Sequence, residues 1–134
     1  MSRFTIAALL ACAFSAACNN TTTTPTTPTT AASFTDTFTG TLNKNGASNF
    51  QFSVAAAGAV FATLSSVADS SMQVGLSLGT WNGVSCTIIL ANDNAQLGTT
   101  VSGTASGVGT LCARVYDVGK VTTPLDYQIT VVHP

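Results

Sequence analysis

The sequence predicts an all-β fold, an antiparallel β-sandwich of seven to nine short strands over residues 34–134. Three observations predict it. From Phe34 onward apolar and polar residues alternate at period two, the spacing that puts successive side chains on opposite faces of a strand. The runs are punctuated by Gly, Asn and Ser. No segment sustains a helical period, so two sheets must cover each other's apolar faces.

The elements follow in order. Phe38, Gly40 and Leu42 alternate with Thr37, Thr39 and Thr41, a half-buried strand with a threonine outer face. Asn45-Gly46 is the strongest dipeptide signal for a hairpin turn. Phe50, Phe52 and Val54 alternate with Gln51 and Ser53, and after Gly58 the next apolar face is Val60, Ala62 and Leu64. Met72, Val74, Leu76 and Leu78 keep strict period two, and Asn82-Gly83 marks a turn before Cys86-Thr87-Ile88-Ile89-Leu90. Residues 97–105 read as a weaker, polar edge strand. Residues 111–118 carry Cys112, and Leu125, Tyr127, Ile129 and Val131 close the series.

Charge is sparse: 7% of residues, five Asp, no Glu and four Lys or Arg. Without clustered cations there is no footprint for nucleic acid, whose binding needs Lys and Arg against phosphates. Solubility rests instead on Thr, Ser, Asn and Gln.

The N-terminal residues, MSRFTIAALLACAFSAAC, read as an export signal (1–18). Arg3 supplies the positive region, residues 4–14 the apolar stretch and Ser15-Ala16-Ala17 the small residues before a cleavage site. The apolar stretch falls short of the roughly twenty residues a spanning helix needs. Residues 19–33, NNTTTTPTTPTTAAS, have no large apolar side chain and read as a disordered linker. Pro25 and Pro28 favour extended backbone, which at about 3.1 Å per residue reaches roughly 45 Å.

Ser15-Ala16-Ala17-Cys18 resembles the lipobox of bacterial lipoproteins, whose Cys is acylated and becomes the new N-terminus, although Ser15 stands where that family has an aliphatic residue. The resemblance implies lipid attachment at Cys18 and a membrane partner reached through that lipid. Asn19 rather than Asp after the Cys implies a cell-envelope, outer-membrane destination. Cleavage at the same site without acylation, giving a secreted or periplasmic chain, is the alternative. With Cys12 in the leader and Cys18 acylated, Cys86 and Cys112 remain in an oxidising compartment and read as a disulfide. It would close a loop of roughly twenty-seven residues, worth about 3–4 kcal/mol.

Four segments, FTGTL, FQFSVAAAGAVFATL, GTLCARVYDVG and YQITVVHP, resemble the bacterial pre-peptidase C-terminal (PPC-like) domain across residues 34–134. That resemblance implies a jelly-roll-like sandwich and a non-catalytic binding or accessory role with no catalytic residues to carry over. Some members bind calcium near the N-terminal linker, where this chain has only Asp36.

The residue types give enzyme chemistry little to work with. The single histidine, His133, lies in a C-terminal stretch expected to be mobile. No G-x-S-x-G sequence occurs, and five scattered Asp do not predict a carboxylate pair. Asn92-Asp93-Asn94 offers oxygen ligands but reads as a polar loop, so neither a metal nor another cofactor is expected. Trp81 and Asn82 are the candidate ligand contacts, with the indole as a platform for a sugar ring; the structural alternative is a loop aromatic covering one end of the sandwich. The reading is a non-catalytic envelope lipoprotein displaying a binding domain for a protein or glycan. A secreted carbohydrate-binding module is the alternative.

Overall fold

The computed structural model describes residues 30–134 as eight strands. These are β1 (Phe34–Leu42), β2 (Ala47–Val54), β3 (Gly58–Val67), β4 (Val74–Trp81), β5 (Cys86–Ala95), β6 (Thr100–Ala105), β7 (Gly109–Tyr116) and β8 (Leu125–His133). The leader, Cys18 and linker residues 19–29 lie outside the described residues.

Two antiparallel sheets of four form, ordered β1-β8-β3-β6 and β2-β7-β4-β5. Only β4 and β5 are joined as a hairpin; every other connection carries the chain to the opposite sheet. That order, with first and last strands paired, is a jelly roll. Its interior is built from the alternation seen in the sequence: Leu42, Phe52, Val54, Val60, Leu64, Leu76, Val115 and Ile129 are all buried. The polar strand at residues 97–105 is an edge strand, β6, but it starts at Thr100 because Leu97 belongs to the preceding turn.

The Asn45-Gly46 turn departs from expectation. It bends the chain tightly, with Asn45 at φ 57° and Gly46 N–H donating to the Asn43 carbonyl at 2.8 Å, yet β1 and β2 are not paired. The turn is a corner between sheets. An Asn-Gly pair fixes local backbone shape but not the partner of the next strand, and β2 pairs along its whole length with β7.

β4 is buried on both faces. Val74, Leu76 and Leu78 face the core, whereas Gly75, Ser77 and Gly79 face outward and are buried as well. Their small size admits the covering groups. The Tyr116 ring, opposite Gly75 in register, would stand 2.2 Å from any Cβ placed there. At Gly79 the obstruction is backbone, with the Thr87 carbonyl oxygen 2.1 Å from a Cβ position.

This second approach explains the disulfide. β5 and β7 flank β4, so their backbones should stand about 10 Å apart at a spacing near 4.8 Å per strand. The Cα atoms of Cys86 and Cys112 are nevertheless 5.8 Å apart and their sulfurs are bonded. The start of β5 therefore leans over the outer face of β4 at Gly79, where the register shifts. The Cys86–Cys112 bridge ties it to β7 across the intervening strand.

Candidate functional site

The antiparallel registers give the sandwich two ends. At one end lie the start of β1 (Phe34 opposite His133), the start of β7 and the ends of β2 and β6. This is the near end, where residues 30–33 lead into the domain, and its connections are 55–57, 82–85 and 106–108. The far end has the connections 43–46, 68–73, 96–99 and 117–124.

The two ends differ in chemistry. None of the near-end connections contains a charged residue, and Asp36 is the one charged side chain there among the described residues. Lys44, Asp69, Asp93, Asp117, Lys120 and Asp126 all lie at the far end, with Arg114 two residues behind Tyr116.

The far-end cluster is assembled from several strands. Where β5 bulges against β4 between Leu76 and Val74, Asp93 reaches across to accept a hydrogen bond from the Tyr116 hydroxyl. Burial, and then the Asp93 carboxylate, push the Tyr116 phenol up to about 12. The Arg114 guanidinium carbon lies 5.6 Å from the Tyr116 ring centre, a cation–π distance. Lys120 donates through Nζ to Gln73 Oε1. Asp93, Asn94, Tyr116, Val118 and Lys120 line an open cavity of about 400 Å³. Carboxylate, amide, phenol and ammonium thus share one surface, a set that donates to and accepts from hydroxyl groups.

Asp117 organises the loop behind this cavity. Its carboxylate accepts from the backbone N–H groups of Val121, Lys120, Gly119 and, across the corner, Asn45. These bonds hold its carboxyl below the usual carboxylate range, the Val121 bond most strongly. Asp117 lies just beyond β7, and its bonds go to backbone rather than to Arg114. At Asp69 the Ser71 hydroxyl and then the Ser71 N–H lower the carboxyl similarly.

The sequence-derived sites fall out as follows. Cys86 and Cys112 are bonded. Trp81 ends β4 at the near end and is half-buried. Asn82 is engaged in its own turn: Oδ1 accepts from Val84 and Ser85 N–H, and Nδ2 donates to Ser85 Oγ. Local bonding therefore commits Asn82, as it does asparagines in tight turns generally. Asn92-Asp93-Asn94 lies within β5 rather than in a loop; Asn92 Oδ1 accepts from the Asn94 N–H, and Asp93 and Asn94 line the far-end cavity.

His133 is fixed rather than mobile. It closes β8 at 4% exposure, near the Phe34 and Phe52 rings. Its Nε2 is 3.1 Å from Asp36 Oδ2 and its Nδ1 is 3.2 Å from the backbone oxygen of Pro134. Pairing of β1 with β8 brings Asp36 there, 97 positions away, while Asp126 sits at the opposite end and bonds Thr41. Neither ring nitrogen faces a hydroxyl, the partner a serine-type nucleophile would require. Tyr127 is a core residue whose hydroxyl is buried over Gly40, with Ser48 beside it. Burial raises its phenol above the ordinary value.

The far-end cluster is not legible in the sequence because its members are dispersed along the chain and meet only through register. The signal available was the bias of Lys and Asp toward alternate connections. Among the described residues, no three His, Cys, Asp or Glu side chains gather as metal ligands would. Comparison with known proteins finds no family model and no curated sequence that matches the chain.

Proposed function

We propose that the chain is a non-catalytic, envelope-anchored lipoprotein whose jelly-roll domain acts as a binding or accessory module. Cys18 carries the lipid, and the linker joins that anchor to the domain. The far end faces outward and takes a polar, hydroxyl-bearing ligand such as a glycan. The observation that carries this reading is the polarity of the sandwich. Residues 30–33 enter at an end whose connections carry no charge, and the charged and hydrogen-bonding side chains gather at the other. The strand order also suits the likeness to PPC-like domains, for which a jelly roll is expected.

On the same geometry the reading favours Asp93, Asn94, Tyr116 and Lys120 over Trp81 and Asn82 as ligand contacts. The Asn82 amide is committed to its turn, whereas the far-end cavity is open. Titration of the purified chain with envelope and plant oligosaccharides, read by backbone amide NMR, tests this placement. Shifts centred on Asn94, Tyr116 and Lys120 and lost in Asp93→Asn support it. Shifts centred on Trp81 favour the secreted carbohydrate-binding module instead, and no shift with any glycan overturns the ligand class. Intact mass tests the anchor, since a chain starting at Cys18 without acyl mass refutes it.

A further inference from the structure

The near end carries an anomaly of its own. Val84, in the β4–β5 turn, is 87% exposed, and Val108, before β7, is 83% exposed. Phe34 and Phe61 lie more than two-fifths open at the same end. The third connection is Ala55-Ala56-Ala57, with Ala55 and Ala57 exposed. Three separate turns thus project only apolar or neutral side chains. The one ionisable pair nearby, Asp36 with His133, is bonded to itself. Other exposed apolar side chains lie along β5 (Ile88, Ile89, Leu90) and at Leu97, but the two most exposed, Val84 and Val108, are both in near-end turns, and apolar exposure gathered in this way marks a contact surface.

We infer that this near end rests on a lipid bilayer, with Val84 and Val108 inserted among the headgroups and the Trp81 indole held at the interface. The inference rests on the reading of Cys18 as the anchor and adds a second contact to it. Two arguments select lipid as the occupant. The chain leading to Cys18 leaves from this end, since Thr30, Ala31 and Ser33 line a cavity there with Gly58 and His133. A tether of that kind keeps the rim near the membrane at an effective concentration of about millimolar, so even weak insertion is populated. Side chains as free as Val84 and Val108 also form no shelf for a folded partner, whose interface needs roughly 800 Å² of fitted surface. A fluid surface accepts such single apolar tips, and interfacial aromatic residues favour the same depth.

Trp81 is the sole tryptophan and therefore the reporter. The full exported chain is reconstituted in vesicles of phosphatidylethanolamine and phosphatidylglycerol carrying a nitroxide lipid labelled near the headgroup. Quenching of Trp81 emission is expected to be at least twofold stronger in wild type than in the double variant Val84→Asp, Val108→Asp. Both substitutions sit on exposed side chains, and an unchanged far-ultraviolet circular dichroism spectrum and urea midpoint certify the fold of the variant. Equal quenching in the two proteins overturns the inference, because proximity would then come from the tether alone. Absence of quenching together with a dimer that the double variant disperses also overturns it, in favour of a second copy as occupant. Intact mass is read on the same sample. If Cys18 carries no acyl group, the anchor fails by itself, and the rim is decided by the same wild-type-to-variant comparison at millimolar lipid on the unanchored chain.

Discussion

The Tyr116 ring occupies the space over Gly75, its partner directly across the β4–β7 register, where any Cβ would stand 2.2 Å from ring carbons. The same device appears in the other sheet. Tyr127 lies over its register partner Gly40, with the hydroxyl 2.7 Å from a Cβ position. Each glycine exchanges a weak strand position for an aromatic lid. In the first pair the lid also sets the Tyr116 hydroxyl against Asp93.

Gly75→Ala therefore displaces Tyr116 and returns its phenol from about 12 toward 10.0. Alkaline titration followed by tyrosinate absorbance checks this. With two tyrosines in the chain, both above their ordinary value, wild type is expected to show little tyrosinate at pH 10. In the variant about one equivalent titrates near there.

Stability follows with a definite sign. A phenol whose folded pKa is raised contributes fully below the unfolded value of 10.0 and loses the contribution as pH rises through about 12. Denaturant midpoints of wild type are expected to fall between those limits more steeply than those of Tyr116→Phe. Parallel curves would show that the titration of Tyr116, raised by burial and then by Asp93, is not linked to folding.

Replacing Cys86 and Cys112 together by Ala is expected to cost about 3–4 kcal/mol, from release of the loop they close. The start of β5 then lifts from the outer face of β4. Gly79→Ala attacks the same contact from below, because the Thr87 carbonyl at 2.1 Å is backbone and cannot rotate aside. It is expected to cost roughly 3 kcal/mol, the upper range for overpacking. Urea unfolding measures both, and a cost under 1 kcal/mol for Gly79→Ala would contradict the lean of β5 over β4.

Asp117→Ala removes the acceptor for four backbone donors and is expected to cost about 1–2 kcal/mol. Its carboxyl is depressed below 3.8, so its contribution is present above that pH and lost as pH falls through the lowered value. The stability gap between wild type and Asp117→Asn is therefore expected to hold at neutral pH and narrow in acid. Urea midpoints across that range measure it.

Much of the fold is legible in the residues. Period-two runs mark most strands because half-buried sheets enforce that period, whereas β5 carries the unbroken run Ile88-Ile89-Leu90, and two cysteines left in a small domain point to their own bond. Pairing is less legible. Asn45-Gly46 and Asn82-Gly83 look alike locally, yet one turns a corner between sheets and the other closes a hairpin, a choice made by distant strands. Gly75, Ser77 and Gly79 read as a thin outer face, and only the register reveals what lies on them. His133 looks like a loose end until β8 pairs with β1 and brings Asp36 to it. The far-end cluster depends on bulges and crossings that composition does not encode.

The pairing of first strand with last has a consequence for the order in which the chain can fold. β1 has one neighbour, β8, and β2 has one neighbour, β7, so neither finds its partner until nearly the whole domain is present. The only pair close in sequence is β4 with β5. Such long-range contacts make collapse slow, because loop closure must precede the reward of pairing. A chain synthesised N-terminus first therefore stays open until β8 (Leu125–His133) is available, and then closes as a unit.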